Sequence, residues 1–222
     1  MSSRRRGRSV IADVAWGPDR ALMLTHFPLR VQPAVAALWA IDEAMGAAIA
    51  GASQPALAGI KLAWWREALC RLDADPAPPE PRLRAVAEVL LPLGVTGAQV
   101  AGIEEGWTAL LPEQVDATAV ALRGERLFGI SSKILGVENA ALGDAGALFA
   151  LSDAMRRGRG DFAVERSALI GSLAGTRSPR RLRPITLAAR LAARNLAEAE
   201  GTPARALALI AHRLTGVITG GR

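Results

Sequence analysis

Residues 33–69 read PAVAALWAIDEAMGAAIAGASQPALAGIKLAWWREAL. Pro33 fits the first turn of a helix, where its missing N–H goes unused and its fixed φ is already helical. The chain then stays apolar and Ala-rich to about residue 50, and Ala is the strongest helix former. Ser53 and Pro55 open a second helix that carries Trp64, Trp65 and Leu69 and ends near Leu72. Two such helices, joined by a few small residues, begin an antiparallel bundle.

The same punctuation recurs outward from this pair. Pro18 and Asp19 open a short helix over residues 20–27, closed by Pro28. Residues 73–81, DADPAPPEP, hold too much Pro for a helix and form the clearest loop. Further helices are predicted over residues 83–91, over 96–111 behind a Thr96–Gln99 capping box, and over 115–135 with Gly136 as the cap. Residues 139–157, 161–174, 185–200 and 204–218 complete the set, and no segment reads as a strand. The domain reading is a disordered basic N-terminus at residues 1–9, then one helical domain over residues 10–222. A hinge is expected at residues 177–184, RSPRRLRP.

Composition narrows the function classes. The 222 residues are 50% hydrophobic, too apolar for disorder throughout. One cysteine, Cys70, excludes a disulfide scaffold and a Cys-based metal site, and His26 and His212 do not make a His-rich one. The longest uncharged run, residues 44–60, contains Gln54 and Pro55 and does not read as a membrane span. The cluster Arg4, Arg5, Arg6 and Arg8 has no apolar stretch behind it, so it does not read as a signal peptide. Both absences predict a cytoplasmic protein. The net charge of +6 is carried almost wholly by Arg. The N-terminal cluster and residues 177–183 suit the inner face of an anionic membrane better than nucleic acid, because no aromatics are interleaved with them.

The run Ala37-Leu38-Trp39-Ala40, followed by Leu62-Ala63-Trp64-Trp65-Arg66-Glu67-Ala68-Leu69, resembles the opening of the squalene/phytoene synthase family. Arg30, after Phe27-Pro28, sits where such proteins carry an Arg at the entry to the first of these helices. Residues 124–136, GERLFGISSKILG, resemble the family's helix with a small-residue stretch. The likeness spans residues 20–165, and LAWWREAL is its most specific part. It implies an all-α, isoprenoid (terpenoid) synthase-like bundle around a central cavity. In active members two facing helices present aspartate-rich motifs, and Mg²⁺ holds a prenyl diphosphate between carboxylate and phosphate oxygens.

This chain departs from that pattern. Asp42 and Glu43 are adjacent, about 100° apart on their helix, and the expected acidic positions around Gly46, Ala47 and Ala50 are small and apolar. Asp153, on the second-motif helix, has Arg157 at i+4. The acid pair at i, i+4 is Asp161 and Glu165, beyond the Arg156-Arg157-Gly158-Arg159 run. The departures resemble the subgroup of complex I assembly factors. The leading expectation is therefore a degenerate member that does not condense prenyl diphosphates, needs no cofactor, and acts as a binding or respiratory-complex assembly protein with a membrane-protein partner. The alternative is an active prenyltransferase of the phytoene/squalene synthase type that uses Mg²⁺ at a rearranged site. Asp42, Glu43, Asp161 and Glu165 would then be catalytic, with Asp161 and Glu165 as metal ligands. Arg30, Arg66, Arg157, Arg159, Trp39 and Trp65 would hold the prenyl diphosphate. A third reading is a helical scaffold with an Arg-rich lipid contact.

Plainer roles stand beside these. Trp39, Trp64, Trp65 and Trp107 read as core or helix-interface residues, with one of the adjacent pair Trp64–Trp65 facing away from the core. Arg66 and Glu67 read as a solvated face. Asp161 and Glu165 read as partners of Arg159 and Arg166 at a helix start, where acids suit the dipole. His26 reads as a helix-end residue and His212 as structural.

Overall fold

The computed structural model describes residues 16–52, 54–137 and 142–220. Among them the helices follow in chain order as α1 (Pro18–Thr25), α2 (Gln32–Ala50), α3 (Pro55–Arg71), α4 (Pro81–Val89), α5 (Gly97–Ala101), α6 (Glu104–Thr108), α7 (Ala117–Leu135), α8 (Gly143–Arg156), α9 (Ala163–Ser172), α10 (Arg183–Ala192) and α11 (Pro203–Thr215). Six of these, α1, α2, α3, α4, α10 and α11, carry Pro in the first turn, so proline sets where the chain begins its helices. The all-α expectation holds: the described residues contain no strand, only isolated bridges between Ala174 and Thr219 and between Arg177 and Val217. The basic N-terminus at residues 1–9 and the expected helix start at residue 139 lie outside the described residues.

Several boundaries differ from expectation for local reasons. Residues 96–111 form two short helices, because α5 stops at Gly102 and the chain turns once before α6. The capping box that opens α5 is present: the Thr96 hydroxyl accepts from the Gln99 N–H and the Gln99 side chain accepts from the Thr96 N–H, both at 3.1 Å. α7 ends at Gly136 with φ 66°, a left-handed conformation that glycine takes without strain. α10 stops at Ala192, short of residue 200. Beyond it the Asn195 side chain accepts from the Ala197 N–H, which turns the backbone out of the helix. The basic segment before α10 is held by the chain end, since the Ser178 N–H donates to the Gly216 carbonyl at 2.8 Å and Leu182 is buried.

α2 runs through the middle of the core. Val35, Ala37, Leu38, Ile41 and Met45 are wholly inaccessible. Among the described residues it is the helix long and apolar enough to cross a membrane, and 72% of its apolar stretch is buried against the rest of the fold. α7 and α8 pack most closely of all, at Gly124 and Gly146. A β-carbon on either glycine would overlap the backbone of the other.

Candidate functional site

Three carboxylates and three guanidiniums from four helices meet in a cluster that runs from the wholly buried Asp42 and Arg123 out to the part-exposed Glu43 and Arg157. α2 contributes Asp42 and Glu43, α8 contributes Asp153 and its C-cap residue Arg157, α7 contributes Arg123, and α1 contributes Arg20. The register of each helix explains the placement. Asp42 lies on the buried face of α2 with Ile41 and Met45, and Arg123 lies on the buried face of α7 between Val120 and Leu127. Asp153 and Arg157 are one turn apart at the end of α8 and so project to the same side.

Arg123 is the hub, with no exposed surface. Its Nε is 3.1 Å from Asp42 Oδ1, and its Nη2 is 2.6 Å from Asp153 Oδ2. Its guanidinium lies 3.8 Å from the centroid of the Trp107 ring, a cation–π contact, and the Trp107 Nε1–H donates to Asp42 Oδ1 at 2.9 Å. Arg157 reaches Asp153 Oδ2 through Nε at 3.1 Å and Glu43 Oε2 through Nη2 at 3.2 Å. Arg20 closes the ring. It donates to Glu43, lies 3.6 Å from Asp42 Oδ2 and 3.8 Å from Asp153 Oδ1, and sits over Trp39 at 5.3 Å.

The electrostatics follow from this geometry. Burial opposes ionisation of Asp153, but Arg123, Arg157 and Arg20 more than offset it and hold the carboxyl well below the usual carboxylate range. Burial likewise works against charge on Arg157, and Asp153, Glu43 and Asp42 reverse it, so this guanidinium keeps its proton more firmly than usual. A depressed carboxyl contributes stability that is fully present above its ordinary value of 3.8 and is lost as pH falls through the lowered one. The urea midpoint of the wild-type protein is therefore expected to fall steeply as pH drops below 3.8, and Asp153→Asn is expected to flatten that slope. Parallel acid limbs for the two proteins would contradict the assignment.

These residues do not fit a Mg²⁺ site. Mg²⁺ asks for several carboxylate oxygens around one octahedral point, and here the oxygens of Asp42, Glu43 and Asp153 face arginines instead. Among the described residues no group of three or more His, Cys, Asp or Glu side chains is placed to hold a metal ion. The cleft beside the cluster, lined by Arg20, Asp153, Arg156 and Arg205, has a volume of about 50 Å³. Ligand pockets run to roughly 300–1,000 Å³. The adjoining interior is filled by aromatic rings, with Trp39 against Phe149 at 5.3 Å and Phe149 against Phe128 at 5.9 Å.

The structure brings together only part of the expected site. Asp42, Glu43 and Arg157 meet in the cluster, with Trp39 at its edge. Asp161 and Glu165 are exposed and outside it. Their spacing assumed a helix that includes both, but α9 begins at Ala163, and Asp161 instead accepts from the Ala163 N–H at 3.1 Å. The expected partner Arg166 turns inward to Ser152 and to the carbonyls of Ala192 and Arg194. Arg66 and Arg159 are exposed, and Arg30 lies in a separate surface cleft. Trp65 is core, while Trp64 is its outward neighbour at 45% exposure, their rings meeting edge to face at 5.0 Å. Of the small residues on α2, Gly46 is buried beside the cluster, whereas Ala47 and Ala50 are exposed. His26 ends α1, and His212 is buried between Thr186 and the Val217 carbonyl, its imidazole pushed below its ordinary value chiefly by burial.

Sequence reasoning missed Arg20, Arg123, Asp153 and Trp107 as members of one site. The signal for Arg123 was its helical phase, three residues after Val120 and four before Leu127, which sets a charge on an apolar face. It also missed the buried pair of Asp19 and Arg205, 2.6 Å apart, which ties α1 to α11. Comparison with known protein families, with characterised proteins and with solved structures finds no match to this chain.

Proposed function

We propose that this chain is a squalene/phytoene synthase-like protein that does not condense prenyl diphosphates and acts as a binding or respiratory-complex assembly protein. The observation that carries the reading is the cluster itself. The carboxylates that converge from α2 and α8 are matched one for one by Arg20, Arg123 and Arg157, which leaves them neither metal-binding geometry nor free charge. A charge-balanced cluster, buried at Asp42 and Arg123 and part-exposed at Glu43 and Arg157, supports a structural use for these residues and a working surface elsewhere. Leu57, Ile60 and Trp64, exposed along one side of α3, are apolar residues of the kind that meet a protein partner. A cytoplasmic protein working beside a membrane-embedded partner fits this reading.

Incubation of the purified protein with farnesyl or geranylgeranyl diphosphate and Mg²⁺, followed by extraction, is expected to yield no condensed product and no released diphosphate. Product formation that disappears in Glu43→Gln or Asp153→Asn would overturn the proposal and favour the Mg²⁺-dependent transferase.

A further inference from the structure

α11 presents the wrong kind of outer face for a helix that meets only water. Its inward side buries Arg205, Ala208, Leu209 and His212. Leu207, Ile210 and Leu214 follow at i, i+3 and i+7, within about 60° of one another on the opposite side. They are 65%, 50% and 74% exposed. Solvent-facing helices ordinarily place charged and polar residues there. The one exposed charge on α11 is Arg213, on the flank of this stripe.

Arg213 leads into a cleft of about 420 Å³ that is also lined by Arg30, Arg180 and Arg181, and among the described residues no carboxylate lines it. Leu29, between Pro28 of the cleft wall and Arg30, is 83% exposed. The charge of Arg213 also reaches inward. After burial, it is the next cause that pushes the His26 imidazole below its ordinary value. Four guanidiniums beside a row of exposed leucine and isoleucine side chains are complementary to one kind of surface: apolar chains beneath a layer of negative charge. Nucleic acid would match the arginines but not the apolar stripe. An anionic bilayer presents both at once, with phosphates in the plane of the arginines and acyl chains beneath them.

We infer that the outer face of α11, with the Arg30–Arg180–Arg181–Arg213 cleft, docks on an anionic lipid bilayer, the apolar stripe entering the headgroup boundary and the arginines holding lipid phosphates. This assignment is independent of whether the bundle carries out any chemistry.

Flotation of the full-length protein with vesicles tests it. The protein is expected to float with vesicles of equal parts phosphatidylcholine and phosphatidylglycerol, to stay behind with phosphatidylcholine alone, and to be released by high salt. Reversal of three charges, Arg180→Glu, Arg181→Glu and Arg213→Glu, is expected to weaken vesicle affinity by about a hundredfold or more. Leu207→Gln, Ile210→Gln and Leu214→Gln together are expected to weaken it by at least about tenfold. All six positions are exposed, so both variants should keep the wild-type melting curve, which circular dichroism checks. A wild-type protein that stays with the aqueous fraction overturns the inference, as does flotation unchanged in both variants. Loss of self-association or of duplex binding in the variants, with no vesicle binding by the wild type, overturns it too and gives the face to another macromolecule.

Discussion

Arg123→Ala is expected to destabilise the protein by about 3–5 kcal/mol, a large share of the roughly 5–15 kcal/mol that holds a domain folded. The cause is the partner left behind. Asp153 keeps Arg157 at 3.1 Å, but Asp42, wholly buried, retains only the Trp107 N–H and the more distant Arg20. An ionised carboxylate in that position has lost its close counter-charge, and the Trp107 ring has lost the guanidinium 3.8 Å from its centroid. Volume is the smaller effect. Arg123→Met, which keeps much of the bulk, should cost nearly as much, whereas Arg123→Met combined with Asp42→Leu should recover a large part. Urea unfolding followed by circular dichroism and Trp fluorescence measures all three. A loss below about 1 kcal/mol for Arg123→Ala would mean that the cluster is not held as described.

Gly124→Ala is the second large effect. In most positions on a helix this exchange is favourable, because Ala gives up less backbone freedom than Gly. At residue 124 a β-carbon meets the Gly146 carbonyl and lies 2.9 Å from Ala150 Cβ, while one on Gly146 meets the Gly124 carbonyl. The obstructing atoms are mostly backbone, so no rotamer change relieves the overlap, and α7 and α8 must separate. Separation stretches the neighbouring Arg123–Asp153 pair, now at 2.6 Å. Overpacking of a core ordinarily costs about 1–3 kcal/mol, and the strained ion pair places Gly124→Ala at the upper end, about 3 kcal/mol. Gly129→Ala, on the same helix with nothing within 4 Å of the added carbon, is the control and should stabilise by about 0.5–1 kcal/mol. Equal urea midpoints for the two variants would count against the close crossing.

The parts of the fold that were legible are those decided within a few residues. Pro18, Pro33 and Pro55 announce helix starts because proline's φ and missing donor act locally, and Thr96 with Gln99 announces a cap because both bonds close within four residues. The break at Gly102 and the turn at Asn195 were also local, but their residues are tolerated inside helices and give no unambiguous stop. The site was legible only in fragments. Asp42 and Glu43 stood out as acids in an apolar helix, yet what they bind comes from residues 20, 123 and 157. Pairings across such distances depend on how helices cross, which no spacing reveals. The same holds for Asp19 and Arg205, at opposite ends of the chain. Asp161 and Glu165 show the opposite failure, a correct spacing read on a helix that does not extend far enough to carry it.

Gly46 sets how much room the cluster has on the α2 side. A side chain there would stand 2.8 Å from the Trp107 ring and 3.0 Å from Arg157 Nη1. A larger residue at this position must push aside the Trp107 ring and the end of the Arg157 side chain. Moving Trp107 takes a hydrogen bond from Asp42, and moving Arg157 takes an ion pair from Asp153 and from Glu43. A larger side chain at residue 46 is therefore expected to lower stability, while Ala47 and Ala50, on the outside, accept substitution with little change. The glycine thus holds a place at this crossing for the Trp107 ring and the Arg157 guanidinium, and the pairing of Asp42, Glu43 and Asp153 depends on that space being left open.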